Sequence, residues 1–201
     1  MQRVSLPRLV VASGNAGKLR ELRALLAGVA GEVVAQSELG VLPVEETGAT
    51  FLSNALLKAR HAARATNAPA LADDSGLEVD ALGGAPGVRS ARYAGDGADD
   101  AANNVRLLAA LEDVPAPRRA RYRAVIVLVR SADDPAPLIA DGHWEGQIAL
   151  APRGSGGFGY DPLFLVGDDD RTAAELAPDV KNQLSHRGQA LRSLLRQLAS
   201  A

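Results

Sequence analysis

The chain has 201 residues, 47% hydrophobic and 23% charged, with a formal net charge of −2 from 22 basic and 24 acidic residues. This describes a globular protein with room for a substantial core, and the balanced charge argues against a nucleic-acid binder, which needs a strong basic excess to displace counterions. Cysteine is absent, which removes disulfides, thiolate metal sites and a cysteine nucleophile. The opening Met1-Gln2-Arg3-Val4-Ser5-Leu6-Pro7 lacks the apolar core of a signal peptide. The longest apolar run, Ala124 to Val129, is far too short to span a bilayer, so a cytoplasmic protein without membrane attachment is expected.

Leu9-Val10-Val11-Ala12 has the pattern of a central strand covered on both faces. It empties into Ser13-Gly14-Asn15-Ala16-Gly17-Lys18, after which Leu19, Leu22, Leu25 and Leu26 recur at helical spacing. A strand, a glycine turn and a helix start aim free N–H groups at whatever lies above the strand, which suits a phosphate, and Lys18 adds a full positive charge. A plain turn capped by Asn15 or Ser13 is the alternative. It is not a Walker A loop, because only Asn15 and Ala16 separate the glycines. Val33-Val34-Ala35 reads as a second strand, followed by a polar loop ending in Glu45-Glu46-Thr47-Gly48, whose acids are either solvated or supply a metal ligand. Thr50 caps a helix with Leu52, Ala55, Leu56, Ala59, Ala62 and Ala63 as its apolar stripe, ending near Asn67. Lys58 and Arg60 fall on its other faces, and His61 has no spaced partner.

Ala68-Pro69-Ala70-Leu71-Ala72-Asp73-Asp74-Ser75-Gly76-Leu77 reads as a buried strand whose carboxyl end opens into a turn, with both aspartates at that end. Burying a carboxylate without a partner is costly, so a surface turn, a helix cap or a metal site is expected there. The rigid loop Gly83-Gly84-Ala85-Pro86-Gly87 follows, then a helix from about Ala98 to Leu111 with Val105, Leu108 and Leu111 inward. Arg121 to Val129 and Pro137 to Leu150 read as a hairpin around Asp133-Asp134-Pro135, and Trp144 and His143 in it read as packing or surface. Gly154 to Gly159 satisfies G-x-G-x-x-G, but Asp161-Pro162 forces extended backbone where a dinucleotide fold would open a helix. A mobile glycine loop carrying Phe158, Tyr160 and Asp161 suits closure over a flat ring. Thr172 to Leu198 reads as helical, with Leu191, Leu194, Leu195 and Leu198 as its apolar face and Lys181, Ser185, His186 and Arg187 gathered before it. No repeat or linker divides the chain, so a single domain over residues 1–201 is expected.

Acidic loops without cysteine favour a hard, oxygen-liganded cation, Mg²⁺ or Mn²⁺, of the kind that arrives with substrate phosphates. Together with the lysine turn and the aromatic glycine loop, this inventory describes a nucleoside triphosphate site. Ser13 to Lys18, Glu45 to Phe51, Asn54-Ala55, Lys58-Ala59, Ala72 to Leu77, Gly83 to Gly87, Gly157 to Pro162 and Ser185-His186-Arg187, in this order and spacing, resemble the inosine/xanthosine triphosphate pyrophosphatase family from about Leu9 to Leu195. The loop from Asp168 to Arg171 and the stretch Arg118 to Arg123 read as ordinary variation.

The resemblance implies an α/β fold, an elongated central mixed sheet flanked by helices, with two lobes and the substrate in the cleft between them. It implies a homodimeric, Mg²⁺-dependent hydrolase that converts dITP, ITP and XTP to the monophosphate and pyrophosphate. Carried over by position, Asp74 is the general base and a metal ligand, Glu45 a second metal ligand, and Lys18 a catalytic cation. Ser13, Gly14, Asn15, Ala16, Gly17, Lys18 and Ser75 are phosphate and sugar contacts, with Lys58 a further substrate contact. Phe158, Gly159, Tyr160, Asp161, Lys181, His186 and Arg187 are the base-reading set. A pyrophosphatase for modified pyrimidine nucleotides and a non-catalytic nucleotide-binding module are the alternatives.

Overall fold

A computed structural model describes residues 6–167 and 170–200. The first five residues of the opening stretch, and Asp168 and Asp169 of the 168–171 loop, lie outside the described residues. The elements are β1 (Leu6–Val11), α1 (Ala16–Leu26), β2 (Ala30–Ala35), α2 (Phe51–Thr66), β3 (Ala70–Val79), α3 (Asp100–Ala110), β4 (Arg119–Val129), β5 (Leu138–Ile148), β6 (Phe164–Val166), β7 (Arg171–Thr172), α4 (Pro178–Leu184) and α5 (His186–Ser200). The strands form a 7-stranded sheet in the order β2-β1-β3-β4-β5-β6-β7. Strand β1 is parallel to β2 and β3, and β6 is antiparallel to β5 and β7, so the sheet is mixed, as expected. Among the described residues no helix is long and apolar enough to cross a membrane.

The chain divides into two compact units, one of Met1–Asp74, Ala124–Gly142 and Arg187–Ala201, the other of Ser75–Arg123 and His143–His186. In the first unit, side chains alternate across the sheet with a period of two. Leu9, Val11 and Leu71 pack with Leu22 and Leu26 of α1 and with Leu191 and Leu194 of α5. Each such leucine, fully buried, stabilises the fold by about 1.5–3 kcal/mol. The register sets Val10 beside Ala70, and these two, with Ala72, form the opposite buried face. There α2 packs on β1, its buried face lined by Ala55, Ala59, Ala62 and Ala63, which permit close approach. By the same alternation Asp73 shares the face of Leu71, and Asp74 the face of α2. The second unit has its own core, in which Leu77, Val79, Leu107, Leu111, Tyr122, Trp144, Tyr160 and Phe164 pack together.

Several expectations change. Strand β3 does not open into a turn at the aspartates but continues through Ser75 and Gly76 to Val79, because both carboxylates find cationic partners inside the fold. On α2, Leu52 is 38% exposed while Asn54 is fully buried. On α3, Val105 faces outward, and Asn103 and Leu107 take the buried positions. The stretch from Thr172 to Leu198 is not one helix: it begins at the end of β7 and breaks at Ser185, whose extended backbone separates α4 from α5.

Candidate functional site

The turn between β1 and α1 is organised by its own side chains. Asn15 caps α1, its Oδ1 accepting from the Lys18 N–H at 3.0 Å, and Ser13 Oγ accepts from the Asn15 N–H at 3.2 Å. Ser13 and Gly17 are buried while Gly14, Asn15 and Ala16 are exposed, and the first turn of α1 carries no acidic residue. This leaves the helix start electropositive. Lys18 Nζ lies 3.1 Å from Asp73 Oδ2. Burial holds the Lys18 ammonium below the usual lysine range, a pull that Asp73 offsets only in part.

Asp73 also receives Arg187, whose Nη2 and Nε lie 3.0 and 3.2 Å from Asp73 Oδ2, while Arg187 Nη1 pairs with Glu21. The Arg187 guanidinium is 1% exposed. Burial works against its charge, but Asp73 and Glu21 outweigh that and push its pKa up. Buried charges persist only when paired in this way. Arg187, expected among the base-reading donors, is thus placed against Asp73 and Glu21 in the first unit.

On the other face of β3, Asp74 Oδ1 accepts from Lys58 Nζ at 2.7 Å, and the same ammonium reaches Glu46 Oε1 at 2.6 Å. Asn54 Nδ2 donates to Asp74 Oδ2 at 3.3 Å, and Asn54 Oδ1 accepts from the Gly48 N–H at 2.7 Å. A Cβ at Gly48 would collide with Asn54 Oδ1 and Ser53 Oγ, so the acidic loop can approach α2 this closely only with glycine there. Glu45 is exposed beside Glu46. Burial pushes the Asp74 carboxyl up, against the opposing pull of Lys58 and Lys18. For Lys58, burial is outweighed by Asp74 and Glu46, and its pKa is raised. Among the described residues no group of three or more His, Asp or Glu forms a ready-made metal cage. Two carboxylates do converge on one cationic point, the Lys58 ammonium. That donor set fits Mg²⁺, which is bound through one or two carboxylates with water and substrate phosphates completing its shell.

In the second unit the Phe158–Asp161 segment is held from several sides. Asp161 Oδ2 accepts from the Phe158 N–H at 2.8 Å and from Lys181 Nζ at 2.5 Å, and Asp161 Oδ1 accepts from Tyr122 OH at 3.2 Å. Lys181 Nζ sits 4.8 Å from the Phe158 ring centroid, a cation–π distance. Tyr122 stacks on His186 with centroids 4.7 Å apart. Tyr160 OH donates to Ser90 O at 2.8 Å, and burial raises its pKa so that the phenol stays neutral. Gly159, at φ 62°, donates its N–H to Asp100 Oδ2 at 2.6 Å and accepts from Asn104 Nδ2 at 2.9 Å. The segment forms turns, not a helix, in keeping with rejection of the dinucleotide reading. Ser75 is half-buried on β3, directly after Asp74.

The Ham1 family model matches residues 9–197. The chain belongs to the Ham1 family. A dITP/XTP pyrophosphatase of Xylella fastidiosa strain Temecula1 is 64% identical over 188 residues, which span 93% of this chain and 94% of that protein. One from Xanthomonas campestris strain 8004 is 62% identical over 191 residues, 94% of this chain and 96% of its own. Among solved structures, a HAM1 protein from Coxiella burnetii superposes with a TM-score of 0.87 at 52% identity, covering 96% of this chain and 99% of that one.

The family resemblance drawn from the motifs therefore holds. In this Ham1 chain the first unit brings Lys18, Lys58 and Asp74 together with Asp73, Glu46 and Arg187, and the second brings Phe158, Tyr160, Asp161 and Lys181 together. Sequence reasoning gave no role to Glu21, Asp100, Asn104 or Tyr122, and Asn54 entered only as part of a family motif. Its helix position, one residue from the apolar stripe of α2, was the further signal that it is buried.

Proposed function

We propose that this chain hydrolyses nonstandard purine nucleoside triphosphates (dITP, ITP and XTP) to the monophosphate and pyrophosphate, clearing them from the nucleotide pool. Membership of the Ham1 family and the similarity to proteins named dITP/XTP pyrophosphatase support the substrate class. The observation that carries the chemistry is the buried carboxylate of Asp74, bonded to Lys58 on the strand position next to the Asp73–Lys18 pair.

In this reading the N–H groups of the Ser13–Lys18 turn and the Lys18 ammonium take the phosphate chain, and Ser75 contacts the sugar. Water attacks the α-phosphorus, and the bond to the bridging oxygen breaks. Pyrophosphate leaves with the electron pair while Asp74 accepts the water proton. A carboxylate raised above its ordinary range is a stronger base for that step. Lys18 and Lys58 offset the charge that grows on the leaving group. Mg²⁺, with Mn²⁺ as a substitute, would be held by Asp74 and a carboxylate of the Glu45-Glu46 pair. When bound it supplies charge neutralisation on the phosphates and a lowered pKa for water.

Phe158 offers a flat face to the base, while Tyr160 anchors the loop from the core of the second unit and Asp161 fixes the turn between them. Donors from Lys181 and His186 suit the oxygen at position 6 of hypoxanthine and xanthine and leave the amino group of adenine unmatched. Arg187 holds Asp73 in place, and through it Lys18. The protein works as a single catalytic domain in a cytoplasmic homodimer. The test is product analysis over a panel of nucleoside triphosphates with and without Mg²⁺, with light scattering for the dimer. Metal-dependent release of pyrophosphate, fastest from dITP, ITP and XTP, is the expected result, and release of single phosphates would assign the chain to another hydrolase class.

A further inference from the structure

Two side chains of α3 lie outside the chemistry just described, yet both act on one residue of the aromatic glycine loop. Asp100 and Asn104 are four positions apart and so share one face of the helix. Between them they take the N–H and the C=O of Gly159, at 2.6 and 2.9 Å. The N–H belongs to the peptide plane shared with Phe158 and the C=O to the plane shared with Tyr160. Holding both therefore fixes the orientation in which each neighbouring ring leaves the backbone. Glycine suits this position because its φ of 62° strains any residue with a Cβ.

We propose that Asp100 and Asn104 are positioning residues that set the base-holding loop and, through Phe158, tune which purine it accepts. The proposal rests on the base-reading role given to that loop above. The other anchors grip the loop at different points, the Phe158 N–H being held by Asp161 and Tyr160 being held at the far end of its ring by Ser90 O. Nor is Asp100 needed to start the helix. The cap of α3 is Asp99, whose Oδ1 accepts from the Ala102 N–H at 2.8 Å, and Asp100 itself is exposed. The neighbouring Asn103 does different work, accepting from the Ala94 N–H and donating to Ala91 O, which ties α3 to the segment after Ser90. One helix thus carries the supports both of the loop and of the segment that receives the Tyr160 hydroxyl.

The experiment compares wild type with Asp100→Ala, Asn104→Leu, the double variant and Asp100→Asn, which keeps an acceptor oxygen in place. Readouts are kcat and KM for dITP and dGTP, the thermal midpoint, and amide exchange of residues 157–161 in the free protein. Each clamp-breaking variant is expected to raise KM for dITP roughly threefold to tenfold, the effect of losing one ordinary hydrogen bond. It should lower the preference for dITP over dGTP, speed exchange in the loop, and leave kcat within about twofold. Asp100→Asn should restore most of the KM. Unchanged KM and exchange in both single variants, or a thermal midpoint that falls with no change in KM, would overturn the proposal. If wild type releases no pyrophosphate from dITP, it is the enzymatic reading that fails, and the exchange measurement still decides whether α3 holds the loop.

Discussion

The cluster around Asp73 and Asp74 and the loop from Phe158 to Asp161 hold their working groups by different physics. In the first, almost every partner carries a full charge: Lys18 and Arg187 with Asp73, Lys58 with Asp74 and Glu46, and Glu21 behind Arg187. Most of these side chains are well buried, so each charge is tolerable only while its partner is present. In the second, the grips on Phe158, Gly159 and Tyr160 are hydrogen bonds to backbone groups or from a phenol, two of them at Gly159, and the buried Asp161–Lys181 pair braces the loop. Breaking one partnership in the first should therefore be costly and felt in the whole fold. Breaking one in the second should be modest and felt in recognition. On the proposed reading, the phosphate end is served by fixed charge and the base end by adjustable shape.

The comparison is tested most severely at Asp74. Asp74→Asn removes the proposed proton acceptor while keeping the shape, and turnover of dITP should fall by about 10²–10⁴, the range of general-base contributions; near-normal pyrophosphate release would remove Asp74 from that role. Next is Arg187→Ala, which removes one of the two cations on Asp73 and the guanidinium paired with Glu21. It should cost about 3–5 kcal/mol in a denaturant titration, as for other buried pairs with one partner deleted. A variant as stable as wild type, with only its KM for inosine triphosphate raised, would return Arg187 to the base pocket.

A smaller loss is expected for Asn54→Ala, which leaves the Gly48 N–H without its acceptor. It should destabilise by about 1–3 kcal/mol and weaken the dependence of rate on Mg²⁺ by loosening the acidic loop from Asp74. The mildest test uses pH. Because burial lowers the Lys18 pKa, the alkaline limb of kcat/KM, which reports the free enzyme, should begin below the range of an ordinary lysine, the charge being lost as pH rises. Lys18→Arg should move that limb upward out of the accessible range, and a limb indifferent to this change would dissociate Lys18 from it.

Local order was largely legible in the sequence. Asn15 and Thr50 cap α1 and α2 as their positions suggest, Asn67 ends α2 in the left-handed conformation, and apolar periodicity marks most strands and helices. Pattern reading failed where long-range partners decide. Asp73-Asp74-Ser75-Gly76 has the composition of a turn, yet cations from three separate helices keep it in a strand. The Glu21–Arg187 pair joins residues 166 apart, and Asn104 meets Gly159 across 55; no local periodicity encodes such meetings. The inward side of α3 was misread by phase alone, since Asn103, not Val105, lies on the buried arc.

The pleat of β3 acts as a partition. Two like charges one peptide bond apart would ordinarily raise each other's cost of ionisation, yet here they are sorted to opposite sides of the sheet and answered by separate helices. The doubled aspartate is therefore a division of labour and not a spare copy. An engineer moving this strand into another scaffold would have to transplant a counter-charge on each side, because supplying only one would leave the other acid an unanswered charge in the interior.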